Sequence, residues 1–278
     1  MHLGYFRQRN RRQFLGLAGT LASGLLFPAN LRAQTGTGQN PTLIFVHGAM
    51  HGAWCWYKIL PRLAAAGVPA VAIDLPGRGR NPLPREQQTR EKYVESIVQA
   101  VDATPGKVVL IGHDVSGLLI SLAAEARPEK VARLVYLAAF LPQVGEGLVT
   151  LVQRDSESLA LKRLVISRDR AAVQLREDSL KEVLYADCDE EDIALARLSL
   201  VPEATQPFGA APALSEARFG RLPKSYMVCA QDRAVGPALQ RAMSTAGKCD
   251  RIATLESGHA PFFSMPDRLV SALLDAAA

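Results

Sequence analysis

Acidic residues are absent from the first 33 positions of this chain, which nevertheless hold five of its arginines. The formal net charge of +5 therefore arises entirely in this segment, because basic and acidic side chains balance in the remainder. A remainder without excess positive charge gives no support to a nucleic-acid or anionic-membrane partner. Hydrophobic residues make up 48% of the chain and charged residues 21%, which is typical of a globular protein.

A long apolar run is also missing from the N-terminus. The apolar stretch over residues 14–27 is shorter than the roughly 20 residues that span a bilayer. It follows the pair Arg11-Arg12 and precedes Leu31-Arg32-Ala33, an approximate cleavage site. This order predicts a twin-arginine signal peptide over residues 1–33, handled by the twin-arginine translocase, and a mature protein in the bacterial periplasm or medium. A basic tail or an uncleaved membrane anchor is the alternative interpretation.

Cysteine is scarce, with four residues and no Cys-x-x-Cys pair. Cys229 ends a predicted strand and Cys249 precedes the next one, so they should lie at opposite edges of a parallel sheet. That separation is too large for a disulfide, while other pairings stay open. His47 and His51 are four residues apart but lack the HExxH pattern, so we expect no metal site.

Strand and helix patterns alternate through residues 42–278, after a Gly-, Thr-, Asn- and Gln-rich linker at residues 34–41. Uniformly apolar strands separated by helices of ten or more residues are typical of an α/β fold with a mostly parallel sheet covered on both faces. The predicted strands are residues 42–46, 68–73, 107–111, 131–138, 224–229 and 251–255, and the predicted helices are 54–66, 89–103, 116–126, 236–243 and 266–277. Residues 142–222 break the alternation and are predicted to form an inserted helical cap over the strand ends.

A sharp turn between the third strand and its helix carries the first chemical signal. The sequence Gly112-His113-Asp114-Val115-Ser116 has the strand–turn–helix context of a nucleophile elbow, with Asp114 at the apex in place of serine. The helix N-terminus favours the ionised carboxylate of Asp114. Alternatively, this segment is a plain turn in which Asp114 only caps the helix.

Two further residues follow later strands. Asp232 comes after the strand at 224–229, and His259 comes after the last strand. The chain order of apex residue, acid and histidine is that of Ser-His-Asp hydrolases on α/β sheets. The sequence therefore predicts a catalytic triad of Asp114, Asp232 and His259. Taken alone, each is also consistent with a purely structural role, but all three fall at the expected strand ends.

An anion site and a pocket are expected beside this triad. The backbone N–H groups of Ala49 and Val115 are the predicted donors of an oxyanion hole. Apolar and aromatic side chains near the strand ends are the predicted substrate contacts, namely Met50, Trp54, Phe140, Tyr185 and Phe262.

Several blocks of sequence resemble the α/β-hydrolase superfamily, and within it the plant methylesterase and hydroxynitrile lyase branch with its bacterial relatives. The blocks are Phe45-Val46-His47-Gly48-Ala49-Met50-His51-Gly52-Ala53-Trp54-Cys55-Trp56-Tyr57, Ala72-Ile73-Asp74-Leu75-Pro76-Gly77, Tyr136-Leu137-Ala138-Ala139-Phe140-Leu141-Pro142, Gln231-Asp232-Arg233-Ala234 and Gly258-His259-Ala260-Pro261-Phe262-Phe263. The resemblance implies a cofactor-free Ser-His-Asp esterase with a small helical cap. The sequence departs from that branch because Asp114 replaces the serine. Ala260 also stands where the lyases carry lysine, so cyanohydrin cleavage is not expected.

An aspartate apex resembles a different branch, the epoxide hydrolases and haloalkane dehalogenases. There the carboxylate attacks an sp3 carbon and forms an alkyl ester, which a histidine-activated water hydrolyses. Val115 stands where dehalogenases carry a halide-binding tryptophan. Residues 142–222 contain only Tyr185, where epoxide hydrolases use two cap tyrosines as acids.

These observations predict an exported, cofactor-free hydrolase with an Asp-His-Asp triad and a small, largely apolar substrate. The main hypothesis is an epoxide-type electrophile opened through a covalent Asp114 ester, with Tyr185 as the acid. A second hypothesis is an esterase or lactonase in which Asp114 and His259 are general bases. A third is a non-catalytic small-ligand binder, which the retained His259 and Asp232 disfavour.

Overall fold

A computed structural model describes residues 41–278. The predicted signal peptide and the linker up to residue 40 lie outside the described residues. Six parallel strands form the main sheet in the order β2-β1-β3-β4-β8-β9. Their bounds are β1 (Thr42–Val46), β2 (Ala70–Ile73), β3 (Val108–His113), β4 (Val131–Leu137), β8 (Lys224–Cys229) and β9 (Arg251–Leu255).

The helices of the main body cover both faces of this sheet, as the sequence predicts. The first cluster of buried apolar side chains joins one face to α1 and α10, and the second joins the other face to α2, α3 and α8. The bounds are α1 (Ile59–Ala65), α2 (Arg90–Ala103), α3 (Ser116–Ala126), α8 (Pro237–Ala246), α9 (Pro261–Ser264) and α10 (Pro266–Ala277). The α/β expectation is therefore confirmed. Since all six strands are parallel, their carboxyl ends meet at one edge, where the loops of the site lie.

Strand β3 shows how the sequence produces this arrangement. All six of its residues are buried, with Val109 and Ile111 in the first cluster and Val108 and Leu110 in the second. Successive side chains of a strand point to opposite faces, so an uninterrupted apolar run fits only a sheet that is covered on both sides. Burying each such side chain contributes roughly 1.5–3 kcal/mol.

The first predicted helix is interrupted in the structure. A 3-10 turn at Ala53–Trp56 precedes α1, which begins at Ile59. Pro61 lies in the first turn of α1, where the missing N–H costs no hydrogen bond. The apolar spacing over residues 54–66 does not reveal this break, because both pieces bury one face against the sheet.

The inserted region contains more than the predicted helices. It includes α4 (Leu148–Gln153), α5 (Ala160–Arg163), α6 (Leu180–Leu184) and α7 (Glu190–Ser199), together with a three-stranded antiparallel sheet of β5 (Leu164–Ile166), β6 (Ala172–Leu175) and β7 (Glu203–Ala204). The predicted helical cap therefore also contains a small antiparallel sheet. Strands of two to four residues are too short to show an alternating pattern in the sequence. We use "cap" below for residues 142–222.

Two further findings concern residues 41–278 as a whole. No helix in this part of the chain has the length and apolarity needed to cross a bilayer. Cys229 and Cys249 are free thiols, as are Cys55 and Cys188.

Candidate active site

Asp114 stands at the apex of a tight turn between β3 and α3. Its φ of +54° lies in the left-handed region, which a non-glycine residue adopts only under constraint. Its carbonyl oxygen accepts the N–H of Phe140 at 3.0 Å and that of Gly117 at 3.2 Å. A Cβ on Gly117 would lie 2.2 Å from the backbone oxygen of Phe140, so only glycine permits this close approach. The strained apex therefore rests on a close-packed turn.

Ser116 is the one hydroxyl within the elbow, and it is fully buried. Its Oγ donates to the backbone oxygen of His47 and so ties the elbow to the loop after β1. Ser116 is also absent from the lining of the cavity described below. The hydroxyl therefore has a structural partner and does not replace the missing serine at the apex.

The carboxylate of Asp114 occupies the predicted oxyanion hole. The N–H of Ala49 donates to Oδ2 at 3.0 Å, and the N–H of Val115 lies close enough to lower the pKa of the carboxyl. Burial has the largest effect and raises this pKa, His259 and the two N–H groups oppose it, and the net direction is upward. The predicted oxyanion donor of Ala49 is thus engaged by the protein's own side chain.

His259 and Asp232 form a buried pair at the carboxyl ends of β9 and β8. Nδ1 of His259 lies 2.9 Å from Oδ2 of Asp232, which also accepts from Nε2 of Gln240 at 2.9 Å. Oδ1 of Asp232 accepts the N–H of Ala234 at 2.7 Å. The acid is thus held on both oxygens. Nδ1 carries the proton toward Asp232, and Nε2 is left as a base.

Electrostatics favour the protonated form of His259. Burial lowers its pKa, but the carboxylates of Asp232 and Asp114 outweigh burial, and the net pKa is raised above 6.5. A base with a raised pKa retains a proton more readily at neutral pH. It is correspondingly stronger as a proton acceptor once it is neutral.

Three other buried histidines surround the site, and their pKa values are lowered, whereas that of His259 is raised. Burial lowers the pKa of His47 to about 4 and of His51 to about 3, and it moves the pKa of His113 well below the usual range. His113 donates from Nε2 to the backbone oxygen of His259 at 3.0 Å. Nε2 of His47 accepts the N–H of Leu75 at 3.1 Å. These histidines are therefore neutral supports of the loops, with partners that define one tautomer.

An apolar cavity of about 380 Å³ opens between the elbow and the cap. Its lining includes Asp114 and His259, with aliphatic and aromatic side chains forming most of the wall. The apolar lining residues from the cap are Leu148, Val149, Val152, Ala160, Leu161, Leu164, Val173, Leu175, Leu184, Ala204 and Phe208. A cavity of this volume fits a small, largely apolar molecule.

The structure brings most of the predicted site residues to this cavity. Asp114, His259, Ala49, Val115, Met50 and Phe140 line it, and Asp232 lies directly behind His259. The predicted substrate contacts Trp54, Tyr185 and Phe262 are not among its lining residues. Trp54 and Phe262 pack around the ring of His51, and the hydroxyl of Tyr185 lies 2.7 Å from Nε2 of that histidine. These three side chains belong to the packing beneath the oxyanion loop.

Two carboxylates in the cavity wall carried no signal in the sequence. Asp155 and Glu203 come from the cap and are both buried. Asp155 lies in the charged stretch of residues 154–157, which is typical of a solvated surface, and Glu203 lies in a proline-containing, loop-like stretch, so only the three-dimensional structure reveals their burial. Among residues 41–278, no group of His, Cys, Asp and Glu side chains has the arrangement of a metal site.

Comparisons with known proteins agree with this geometry. The model of the alpha/beta hydrolase family matches residues 43–272. The chain is 30% identical over 247 residues to Methylesterase 7 of Arabidopsis thaliana, covering 84% of this chain and 95% of that protein.

Similar solved structures support the same family assignment. The crystal structure of polyneuridine aldehyde esterase superposes with a TM-score of 0.78 at 25% identity, covering 86% of this chain and all of that one. A pyrethroid hydrolase from Sphingobium faniae JZ-2 superposes with a TM-score of 0.75 at 27% identity, covering 85% of this chain and 97% of that one. The family model spans nearly all of the described residues, and the site lies where the fold presents its catalytic loops. The chain therefore belongs to the alpha/beta hydrolase family, is homologous to plant methylesterases, and is a hydrolase.

Proposed function

We propose that the protein hydrolyses a small, largely apolar carboxylic ester without a cofactor, in the manner of a methylesterase that lacks the serine. The observation that carries the proposal is the His259–Asp232 pair, which opens onto an apolar cavity in a chain homologous to methylesterases. Relatives named as esterases and as a pyrethroid hydrolase support ester cleavage over epoxide opening.

In this proposal a water molecule replaces the serine as nucleophile. It lies between Asp114 and His259, and its oxygen attacks the ester carbonyl carbon while Nε2 of His259 takes one of its protons. The π electrons of the carbonyl bond move to the carbonyl oxygen. When that intermediate collapses, the bond to the alcohol oxygen breaks and the imidazolium returns the proton to the departing oxygen. The products are an acid and an alcohol, and His259 is neutral again.

Asp114 orients the attacking water through Oδ1, while Oδ2 stays on the N–H group of Ala49. Its negative charge also stabilises the imidazolium that forms on His259. Since Oδ2 engages the N–H group of Ala49, the carbonyl oxygen of a substrate cannot take the same donor. Attack by Asp114 on an ester carbonyl would give an anhydride, whereas attack by water gives the products directly.

A covalent Asp114 ester formed on an sp3 carbon is the second candidate. The observation in its favour is that Oδ2 is held and Oδ1 is left for attack. An opened epoxide oxygen, however, needs a proton donor. Tyr185 does not line the cavity, and its hydroxyl lies 2.7 Å from His51. For this reason we rank the epoxide reaction below ester hydrolysis.

Turnover in water enriched in heavy oxygen distinguishes these candidates. The purified protein is given pools of methyl esters, lactones, epoxides and haloalkanes, and isotope uptake is measured in the products and in the peptide that contains Asp114. Ester hydrolysis by direct water attack labels the product acid and leaves that peptide unlabelled. Label in the peptide, lost together with turnover in Asp114→Ala, would establish the covalent ester and overturn the first proposal.

We further propose that residues 1–33 direct export by the twin-arginine route to the periplasm or the medium. The support is the order of paired arginines, a short apolar stretch and a small-residue site. The small-molecule ester would then be met outside the cytoplasm.

A further inference from the structure

Three carboxylates of the cap each accept a backbone N–H from a different catalytic loop. We propose that Asp155, Asp187 and Glu203 are positioning residues that hold the loops of the acid, the base and the oxyanion donor in their reactive geometry. The inference rests on the proposed function for the roles of those loops. It makes the cap a clamp on the catalytic groups as well as a wall of the cavity.

Glu203 holds the loop of the oxyanion donor. Its Oε2 accepts the N–H of Met50 at 2.8 Å and lies 2.8 Å from a guanidinium nitrogen of Arg78. The hydroxyl of Tyr93 donates to Oε1 at 3.0 Å. Met50 has a φ of +64°, a strained conformation that needs outside support, and it directly follows Ala49. Loss of this carboxylate would therefore release the N–H of Ala49 from its position.

Asp155 holds the loop of the acid. Its Oδ2 accepts the N–H of Gly236 at 2.8 Å, and its Oδ1 accepts that of Ser158 at 3.1 Å. The hydroxyl of Ser158 in turn donates to the backbone oxygen of Ala234 at 2.7 Å. Since Ala234 also donates its N–H to Asp232, the cap and the catalytic acid both form hydrogen bonds to the same short loop.

Asp187 holds the loop of the base. Its Oδ2 accepts the N–H of Gly258, the residue before His259, at 2.9 Å. A Cβ on Gly258 would lie 2.7 Å from Oδ1 of Asp187, so the two segments of the chain are in close contact at this point. Asp187 is absent from the lining of the cavity, and its effect on catalysis must therefore pass through His259.

The common feature of the three contacts is a charged acceptor that faces a backbone donor beside a catalytic group. Hydrogen bonds of this kind are stronger than neutral ones, and misplacing a catalytic group by about 1 Å can cost on the order of 100-fold in rate. A further cap carboxylate, Asp192, is buried like Asp155 and Glu203 and provides a control. It accepts from the hydroxyl of Tyr57 and from Nζ of Lys58, which belong to no catalytic loop.

The test compares Asp187→Ala, Asp155→Ala and Glu203→Ala with Asp192→Ala in the full protein. Amide hydrogen exchange is measured for the peptide of each loop, and kcat, KM and the pH profile are measured on an ester that the protein turns over. We expect each of the three variants to exchange about tenfold faster in its own loop and to lose about tenfold or more in kcat. For Asp187→Ala, KM should stay within about twofold, and the acidic limb should move to lower pH as His259 loses its alignment with Asp232. Asp192→Ala should lower the unfolding temperature and keep kcat.

Conservative replacements sharpen the test. Asp187→Asn keeps an acceptor oxygen for Gly258 and should restore most of kcat. Asp155→Asn should not, because both oxygens of Asp155 accept N–H groups and the new amide nitrogen would face one of them. Unchanged loop exchange in all three alanine variants, or kcat values equal to that of Asp192→Ala, would overturn the clamp. Full activity of His259→Ala would instead overturn the proposed function, and loop exchange would still decide the clamp.

Discussion

The N–H of Ala49 donates to Oδ2 of Asp114 at 3.0 Å, so the side chain at the apex occupies the predicted oxyanion hole. In the usual elbow a serine leaves these donors free for the substrate. Here one substitution has removed the hydroxyl nucleophile and engaged the anion site at the same time. The base and its acid partner are nevertheless paired at 2.9 Å, which explains why water rather than a side chain is the proposed nucleophile.

Asp114→Ser is expected to restore both missing elements of a serine esterase. It supplies a hydroxyl beside His259 and frees the N–H group of Ala49. One oxyanion donor is worth about 100-fold or more in rate, so ester turnover should rise by about that factor. Rapid-mixing kinetics should show a burst, and a fluorophosphonate probe should label the variant but not the unchanged protein. The double variant Asp114→Ser with His259→Ala is the unlabelled control. Slower ester turnover without labelling would mean that the carboxylate of Asp114 is itself required.

The pH profile should report the raised pKa of His259. The imidazole must be neutral to take a proton from water, so kcat/KM should increase through an apparent pKa above 6.5 and then level off. Asp114 contributes to raising this pKa, and Asp114→Asn should therefore move the rising limb to lower pH. Arg233→Gln, a change outside the cavity lining, serves as the comparison. A limb that stays in place in Asp114→Asn would exclude a direct charge interaction between the two groups.

Export can be tested on residues 1–33 fused to a reporter that is active only outside the cytoplasm after folding. We expect the natural segment to deliver the reporter, and the exchange of both Arg11 and Arg12 for lysine to retain it inside the cell. A segment with Arg7 and Arg9 changed in the same way is the matched control. Equal delivery by all three fusions would argue against the twin-arginine route.

The main sheet could be predicted from the sequence because its signals are local. The strand at Lys224–Cys229 and the helices at Ser116–Ala126 and Pro266–Ala277 have the predicted bounds. Each is an apolar run or an amphipathic repeat bordered by a turn signal. Parallel topology places the loops after these strands at one edge of the sheet. For this reason the sequence alone predicts that Asp114, Asp232 and His259 lie there.

The cap and the use of individual side chains could not be predicted in the same way. The burial of Asp155 and Glu203 depends on partners that are far apart along the chain, such as Arg78 and Gly236. Tyr185 is the only tyrosine of the cap, and its hydroxyl lies against His51 rather than in the cavity. Composition cannot distinguish a cavity-lining tyrosine from one that supports a loop, because both are buried.

Gly117→Ala should destabilise the elbow. The added methyl group would lie 2.2 Å from the backbone oxygen of Phe140, and a backbone atom cannot move aside as a flexible side chain can. Overpacking of this kind costs about 1–3 kcal/mol in the free energy of unfolding. Gly209→Ala is the matched control, since the nearest atom to its new methyl group is 3.7 Å away. Denaturant unfolding of both variants gives the comparison. Equal stability of the two would mean that the turn at Asp114 relaxes more easily than its contacts indicate.

Acid should destabilise the protein through its neutral buried histidines. The folded-state pKa values of His47, about 4, and His51, about 3, lie below the unfolded value of 6.5, and that of His113 is also lowered. As the pH falls below 6.5, these histidines therefore become protonated in the unfolded chain while they stay neutral in the folded one. Each such histidine removes about 1.4 kcal/mol of stability per pH unit until its folded pKa is reached. His259 acts in the opposite sense, because its raised pKa gives stability that is present below 6.5 and lost as the pH rises.

Equilibrium unfolding in urea between pH 7 and pH 4 measures this dependence. His51→Gln keeps an acceptor for the hydroxyl of Tyr185 and a donor for the backbone oxygen of Ala49, but it cannot take up a proton. Its free energy of unfolding should therefore fall less steeply with acid than that of the unchanged protein. The difference in slope should be about 1.4 kcal/mol per pH unit, the contribution of one histidine. Identical slopes for the unchanged protein and His51→Gln would show that the ring of His51 accepts a proton in the folded state, contrary to its burial.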